Sequence, residues 1–251
     1  MNINFLNSFL FHPRKSYHKI GKNDHMIPVD NHVKVSTRFH MISFTASNIL
    51  FFHGNGEIGS EYDDIASIYN SKGFNFIIAD YRGYGFSNGM PNIKNTMKDA
   101  HLILDYVINY LKVNQYSDTI ILMGRSLGSV SVLEISKRYP FDFKGLIIES
   151  GISNEEPLFY IIGTTATEVG FKTEDGFQNY IKIGNYNGPL LVIHALDDHI
   201  VPFSQGEELI KLCPSLNKKL LPIPNANHNN ILEKNLELYF DEVTNFIKEF
   251  I

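Results

Sequence analysis

Residues 119–129 read Thr119-Ile120-Ile121-Leu122-Met123-Gly124-Arg125-Ser126-Leu127-Gly128-Ser129, and a helical pattern, Leu127–Arg138, follows without a gap. Five apolar or β-branched residues in a row read as a strand buried on both faces. Between strand and helix lies G-x-S-x-G, with a glycine two residues to either side of Ser126. A chain that reverses from strand to helix in so few residues brings backbones too close for a Cβ, which is why glycine is needed on both sides. Such a turn lifts Ser126 out of the sheet. The helix start also points backbone N–H groups, Leu127 first, to where an acyl oxyanion would form. A lone G-x-S-x-G also arises by chance as a glycine-rich turn, so context and partners must decide.

Working outward, short apolar runs ending in Gly, Asp, Ser or His alternate with stretches of helical periodicity. Strands are expected at Ile49–His53, Phe74–Asp80, Thr119–Met123, Gly145–Glu149, Leu190–His194 and Lys219–Ile223. Helices are expected at Glu61–Asn70, Thr96–Leu111, Leu127–Arg138, Ser204–Leu212 and Ile231–Ile251. This alternation predicts an α/β fold: one mostly parallel sheet flanked by helices, in a single domain over 1–251. Val33–Phe44 alternates loosely and suggests an antiparallel hairpin at one edge, after an N-terminal extension, 1–30. The stretch 152–187 is rich in Gly, Thr and Asn, with short apolar patches such as Leu158–Ile162. It reads as an inserted lid over a pocket or as a long crossover.

Two later strands end in residues that could serve Ser126. The run Leu190–His194 continues as Ala195-Leu196-Asp197-Asp198-His199-Ile200-Val201-Pro202, placing two acids at a strand's C-terminal edge, where ligand sites of open α/β sheets gather. The last strand ends in Pro224-Asn225-Ala226-Asn227-His228-Asn229-Asn230, a turn-rich segment that leaves His228 free to reach across. A serine hydroxyl is a weak nucleophile until an imidazole takes its proton, and the imidazole needs a carboxylate to fix its tautomer. Singly, the acid is a loop cap and the histidine a solvated turn residue. In the order Ser, Asp, His on successive strand ends, coincidence explains them poorly.

These segments resemble the α/β-hydrolase superfamily, and within it the small serine-aminopeptidase-like hydrolases, a group that includes esterases and protein depalmitoylases. The resemblance runs from about Asn48 onward. It rests on FFHGNGE at 51–57, DYRGYGFSNGMP at 80–91, GRSLGS at 124–129, HALDDHIVP at 194–202 and NANH at 225–228. It implies a Ser126–His228–Asp198 triad, with Asp197 as the fallback acid. It also implies an oxyanion hole built from the Asn55 and Leu127 N–H groups, with Gly56 as an alternative donor. Ala195 and Asn227 stand where the family often has glycine. The N-terminus lacks the cysteine cluster through which membrane-bound depalmitoylases of the group are lipidated. The expected activity is a serine hydrolase acting on an ester or thioester through an acyl-enzyme, with an aminopeptidase-like enzyme as the alternative.

A rival from another class uses the same chain. Gly54-Asn55-Gly56-Glu57-Ile58-Gly59 is a literal GxGxxG after a strand and before a helix, with Asp80 ending the next strand about 20 residues on. That would make an NAD-dependent oxidoreductase, with Asp80 on the ribose, but it leaves Ser126, Asp198 and His228 idle. A hydrolase-fold binding module without catalysis is the third reading. In DYRGYG, Asp80 and Arg82 read as structural, and Arg125 and Glu57 read as local ion pairs before substrate contacts.

Composition bounds the rest. With 251 residues, 43% of them hydrophobic, and a formal net charge of -5, the chain has no basic surplus for nucleic acid. The expected partner is a small-molecule acyl substrate, or an acylated protein or peptide. One cysteine, Cys213, excludes an internal disulfide and a cysteine metal site, and it reads as a small buried hydrophobe. The triad chemistry calls for no cofactor and no metal. The stretch Phe5–Phe11 is interrupted by Asn7 and Ser8 and falls short of the roughly 20 residues of a spanning helix. Arg14 and Lys15 follow it, unlike in a secretory signal. A cytoplasmic location is expected, with scope for peripheral membrane contact through Phe5, Leu6, Phe9, Leu10 and Phe11.

Overall fold

The computed structural model describes residues 10–161 and 163–250. Among these residues, eight strands form one sheet: β1 (Asp24–Asp30), β2 (Val33–His40), β3 (Asn48–Phe52), β4 (Asn75–Ala79), β5 (Ile120–Arg125), β6 (Gly145–Glu149), β7 (Leu190–Ala195) and β8 (Lys218–Ile223). Their order is β1-β2-β4-β3-β5-β6-β7-β8. The β1/β2 and β2/β4 pairs are antiparallel and the remaining pairs parallel. From β3 onward the strands fall where the apolar runs predict.

The edge hairpin lies earlier than expected. Val33–His40 is only its second strand, and the first, β1, comes from the segment that reads as extension. The strand β1 has the sequence DHMIPVD, with charged ends, a proline and a register shift between Pro28 and Asp30. Such features suit an edge strand, and they leave only Ile27 and Val29 as buried alternating positions to announce it.

Among the described residues, seven α-helices fill the connections: α1 (Asp63–Ser71), α2 (Ile93–Val113), α3 (Gly128–Ile135), α4 (Glu156–Ile161), α5 (Asn179–Gly184), α6 (Phe203–Leu212) and α7 (Ile231–Phe250). A 3₁₀ turn, Gly59–Tyr62, leads into α1. The helix α2 begins three residues before the expected Thr96 because the Asn92 side chain accepts the Asn95 N–H at 2.8 Å, an N-cap bond. A backbone break at Asn235 (φ -147°, ψ 50°) separates the first turn of α7 from its long remainder.

Both sheet faces are covered, so the parallel strands are apolar throughout and side chains alternate between two cores. Leu50, Phe52, Ile77, Leu122, Leu146, Ile148 and Val192 face the core that includes Ile103, Leu104 and Val107 of α2, Val130 and Leu133 of α3 and Leu209 of α6. Ile49, Phe51, Phe76, Ile121, Met123, Ile147 and Ile193 face Ala66 and Tyr69 of α1 and Tyr239, Phe240, Val243 and Phe246 of α7. Cys213 is buried, its thiol donating to the Tyr186 carbonyl at 3.3 Å.

The segment 152–187 carries α4, α5 and a 3₁₀ turn at Thr173–Asp175. Its base is tied down: the Ser153 and Asn154 N–H groups donate to Gln205 Oε1 at 2.9 and 3.1 Å, and Asn179 Nδ2 donates to the Ile152 carbonyl at 2.7 Å. Of the N-terminal apolar residues, Phe5, Leu6 and Phe9 lie outside the described residues, while Leu10 and Phe11 are buried against the domain. Packing rather than membrane contact accounts for those two. Among the described residues, no helix is long and apolar enough to cross a membrane.

Candidate active site

Ser126, Asp198 and His228 follow β5, β7 and β8 and meet at one edge of the sheet. Ser126 sits at φ +50°, a left-handed conformation that costs a non-glycine residue about 1–3 kcal/mol and survives only where surrounding bonds enforce it. Here its N–H donates to the Glu149 carbonyl at 2.8 Å, and its carbonyl accepts from the N–H and hydroxyl of Ser129 at 3.0 and 2.6 Å. The glycines do what the turn requires. A Cβ on Gly124 would stand 2.5 Å from the Gly128 carbonyl oxygen, and one on Gly128 would overlap the Phe52 carbonyl.

His228 Nε2 lies 3.0 Å from Ser126 Oγ, and His228 Nδ1 lies 2.8 Å from Asp198 Oδ2. All three side chains are nearly buried. The second carboxylate oxygen of Asp198 accepts the Ile200 and Val201 N–H groups at 3.0 and 2.8 Å. Burial alone would raise the Asp198 carboxyl, but His228 and these two N–H groups outweigh it and hold the acid below its ordinary range. Asp197, the fallback acid, is exposed, and Asp198 takes the histidine. His194 Nε2 comes within 3.5 Å of Asp198 but donates to the Val201 carbonyl at 2.8 Å. Burial pushes its ring down toward the neutral form, so this approach is not an ion pair.

The loop after β3 brings Asn55 to the same place. Its side-chain oxygen accepts the His12 N–H at 2.9 Å and the Tyr84 hydroxyl at 2.6 Å, tying the loop to the N-terminal segment. Leu127 N–H opens α3 beside Ser126. A cavity of about 280 Å³ lies over Ser126 and His228, walled by Leu10, Leu158, Ile161 and Ile200. Across Ile161 and Ile200 it adjoins a second cavity of about 570 Å³, between α4 and the segment that follows Asp198.

Arg125 lies partly buried behind the serine and is paired with Glu57 and, at 3.0 Å, Glu149. Glu149 and Tyr239 were not among the residues that the sequence singles out. An acid closing the apolar run Gly145–Glu149 at the same sheet edge was a usable signal for the first, whereas Tyr239 carries none. Arg82 pairs in two-point fashion with Asp99.

The dinucleotide reading requires correction. Asp80 is buried and already engaged by His53 Nε2 at 3.1 Å, the Gly59 N–H at 2.8 Å and the Ser36 hydroxyl. Both its oxygens are turned inward and taken up by the protein itself, so it does not face a ribose.

A mostly parallel eight-stranded sheet with a strained serine turn after a central strand is the α/β-hydrolase fold, and the sequence is similar to proteins of that superfamily. Residues 45–162 match the family described as Serine aminopeptidase, S33. Among curated proteins, the chain is 30% identical over 207 residues to the mouse Alpha/beta hydrolase domain-containing protein 17C, across 81% of this chain and 59% of that one. It is 29% identical over 184 residues to the Caenorhabditis elegans Alpha/beta hydrolase domain-containing protein aho-3, across 73% and 52%. The matched segment thus spans little more than half the length of these relatives. Among solved structures, an esterase of Pyrococcus furiosus superposes with a TM-score of 0.74 at 17% identity, covering 95% of this chain and 98% of that one. At that identity the likeness concerns the fold.

Proposed function

We propose that the protein is a serine hydrolase that cleaves an ester or thioester through an acyl-enzyme. The observation that carries the reading is the unbroken contact from Ser126 Oγ through the His228 ring to Asp198, at 3.0 and 2.8 Å, opening on a cavity with apolar walls. Ser126 Oγ attacks the acyl carbonyl while its proton passes to His228 Nε2, and Asp198 stabilises the imidazolium. The Leu127 and Asn55 N–H groups hold the oxyanion. The proton then moves from His228 to the departing alkoxide or thiolate. Water, deprotonated by the same ring, attacks the acyl carbon and returns the free acid and the Ser126 hydroxyl.

An aminopeptidase would need an unpaired carboxylate for the substrate's ammonium group. Glu57, the acid on the cavity wall, already spends its two oxygens on Arg125, the Gly54 N–H and the Tyr62 hydroxyl, which favours neutral acyl substrates. The reading includes a cytoplasmic location, in keeping with one buried, unpaired cysteine.

A fluorophosphonate probe with esters, thioesters and aminoacyl amides as substrates tests this reading. The native chain should be labelled and should turn over esters or thioesters, and Ser126→Ala should lose labelling and about 10⁶ in kcat. Native-like turnover by Ser126→Ala would refute the assignment. A native protein that neither labels nor turns over any of the three would be a binding module.

A further inference from the structure

We propose that Arg125 is a positioning residue: its guanidinium fixes the histidine loop and the oxyanion loop relative to Ser126, so the reaction rate depends on it although it touches no reacting atom. This rests on the serine-hydrolase reading above. As the last residue of β5, Arg125 continues the Ile121–Met123 row and projects to the face covered by α1 and α7. There its three nitrogens go to three different segments. Nη1 donates to Glu57 Oε1, Nε donates to Glu149 Oε1 at 3.0 Å, and Nη2 donates to the backbone carbonyl of His228 at 2.7 Å.

Each partner is anchored to a working part of the site. The other oxygen of Glu57 accepts the Gly54 N–H at 2.7 Å, one residue before Asn55, and the Tyr62 hydroxyl at 2.5 Å. The other oxygen of Glu149 accepts the Tyr239 hydroxyl at 2.6 Å, while the Glu149 carbonyl holds the strained Ser126 N–H at 2.8 Å. A single planar cation therefore links the backbones of the oxyanion loop, the nucleophile turn and the base.

The histidine loop needs such a link. Within it, Asn227 N–H donates to Asn230 Oδ1 at 2.7 Å and Asn229 N–H to Asn227 Oδ1 at 3.0 Å, and the Asp197 N–H donates to the Ala226 carbonyl at 3.0 Å, a tie to the segment after β7. None of these reaches β5. The bond from Arg125 spans 103 positions in sequence and acts on the same residue whose ring must meet Ser126. A guanidinium presents donors in a fixed plane in several directions, whereas a lysine ammonium is a single point on a flexible stem. Arg125→Lys thus keeps the charge that the two carboxylates require and gives up the geometry.

The test compares native protein, Arg125→Lys and, as a matched disruption elsewhere, Arg38→Lys. Arg38 binds Asp24 at 2.8 Å and Asp63 at 2.7 and 3.0 Å, in the β2 region away from the triad. Each protein is titrated to completion with fluorophosphonate, and rates are expressed per labelled site. Arg125→Lys should lose about 10- to 100-fold in kcat and in labelling rate, the scale of a misplacement near 1 Å, with KM within about twofold of native. Arg38→Lys should shift Tm without altering the rate per site. Native rates per labelled site in Arg125→Lys would overturn the proposal, since a purely structural residue lowers the folded fraction and leaves each folded site at full speed.

If Arg125→Lys does not fold, Glu57→Gln decides. It keeps the acceptor for Gly54 and Tyr62 but weakens the pull on Arg125, and it should lower kcat per site with KM unmoved; an unchanged kcat would overturn the proposal equally. Failure of the native chain to label, or labelling that survives Ser126→Ala, is a separate outcome. It removes the hydrolase reading and the role of Arg125 with it.

Discussion

Gly128 is where the fold and the site depend on the same close backbone contact. A Cβ added there would overlap the Phe52 carbonyl oxygen and stand 2.7 Å from the Phe52 carbonyl carbon. Carbon atoms prefer about 3.5 Å or more, so the carbon contact alone demands a shift of about 0.8 Å, and the overlap with the oxygen demands more. Phe52 cannot supply it, because β3 is registered with β4 on one side and β5 on the other and the Phe52 side chain is fully buried. The start of α3 must move, carrying Leu127 and Ser126. Overpacking of this kind costs about 1–3 kcal/mol, which in a chain of this size lowers Tm by about 2–4 °C per kcal/mol. A displacement near 1 Å at the nucleophile costs about 100-fold in rate. Gly184, at the end of α5, is the control: nothing stands within 4 Å of its added Cβ. Gly184→Ala should leave Tm equal or slightly higher, by about 0.5–1 kcal/mol of stability. Thermal melts and fluorophosphonate labelling rates of the two variants, measured side by side, test the argument. A Gly128→Ala protein that melts with native and labels at the native rate would refute it.

Two further predictions concern the acid and the pocket. Asp198 is held below the ordinary carboxylate range by His228 and two backbone N–H groups, despite its burial. Its contribution to stability is therefore fully present above the unfolded value, near pH 3.9, and is lost as pH falls through the lower folded value. The Tm difference between native and Asp198→Asn should persist down to about pH 4.5 and close below about pH 4; a difference already gone at pH 5 would contradict the assignment. Ile161 lies on the boundary between the 280 and 570 Å³ cavities, so Ile161→Trp should separate them. Activity on long-chain esters should fall about 10-fold or more relative to acetyl esters, the scale of steric discrimination in apolar pockets. An unaltered chain-length profile would show that substrate does not cross that boundary.

The parts of the fold that sequence announces are those where a periodic pattern meets punctuation. Buried strands such as Ile120–Arg125 and Leu190–Ala195 are continuous apolar runs stopped by the residues of the site. Where the pattern is short it fails: in DHMIPVD only Ile27 and Val29 mark the buried face of β1, too few alternating positions to tell a strand from a loop. In the site, Ser126, Asp198 and His228 were legible because each is a polar residue at the end of such a run. Tyr239 was not, because it lies within the amphipathic pattern of α7 and its hydroxyl meets Glu149 only through tertiary packing.

The glycine-rich loop after β3 shows how a correct reading of local geometry can still leave function open. GxGxxG with an acid at the end of the neighbouring strand requires a tight turn, a close approach and adjacent parallel strands, and all three are present: Gly56 at φ +74°, the Gly59 N–H against a carboxylate, and β3 beside β4. What differs is the identity of the approaching group. Asp80 turns inward to His53, Ser36 and Gly59, so the glycines let the chain pack against its own buried acid instead of a pyrophosphate. Spacing in a sequence encodes room for a close contact; only the direction of the acid's side chain says whether that room is filled from within the protein or from outside it.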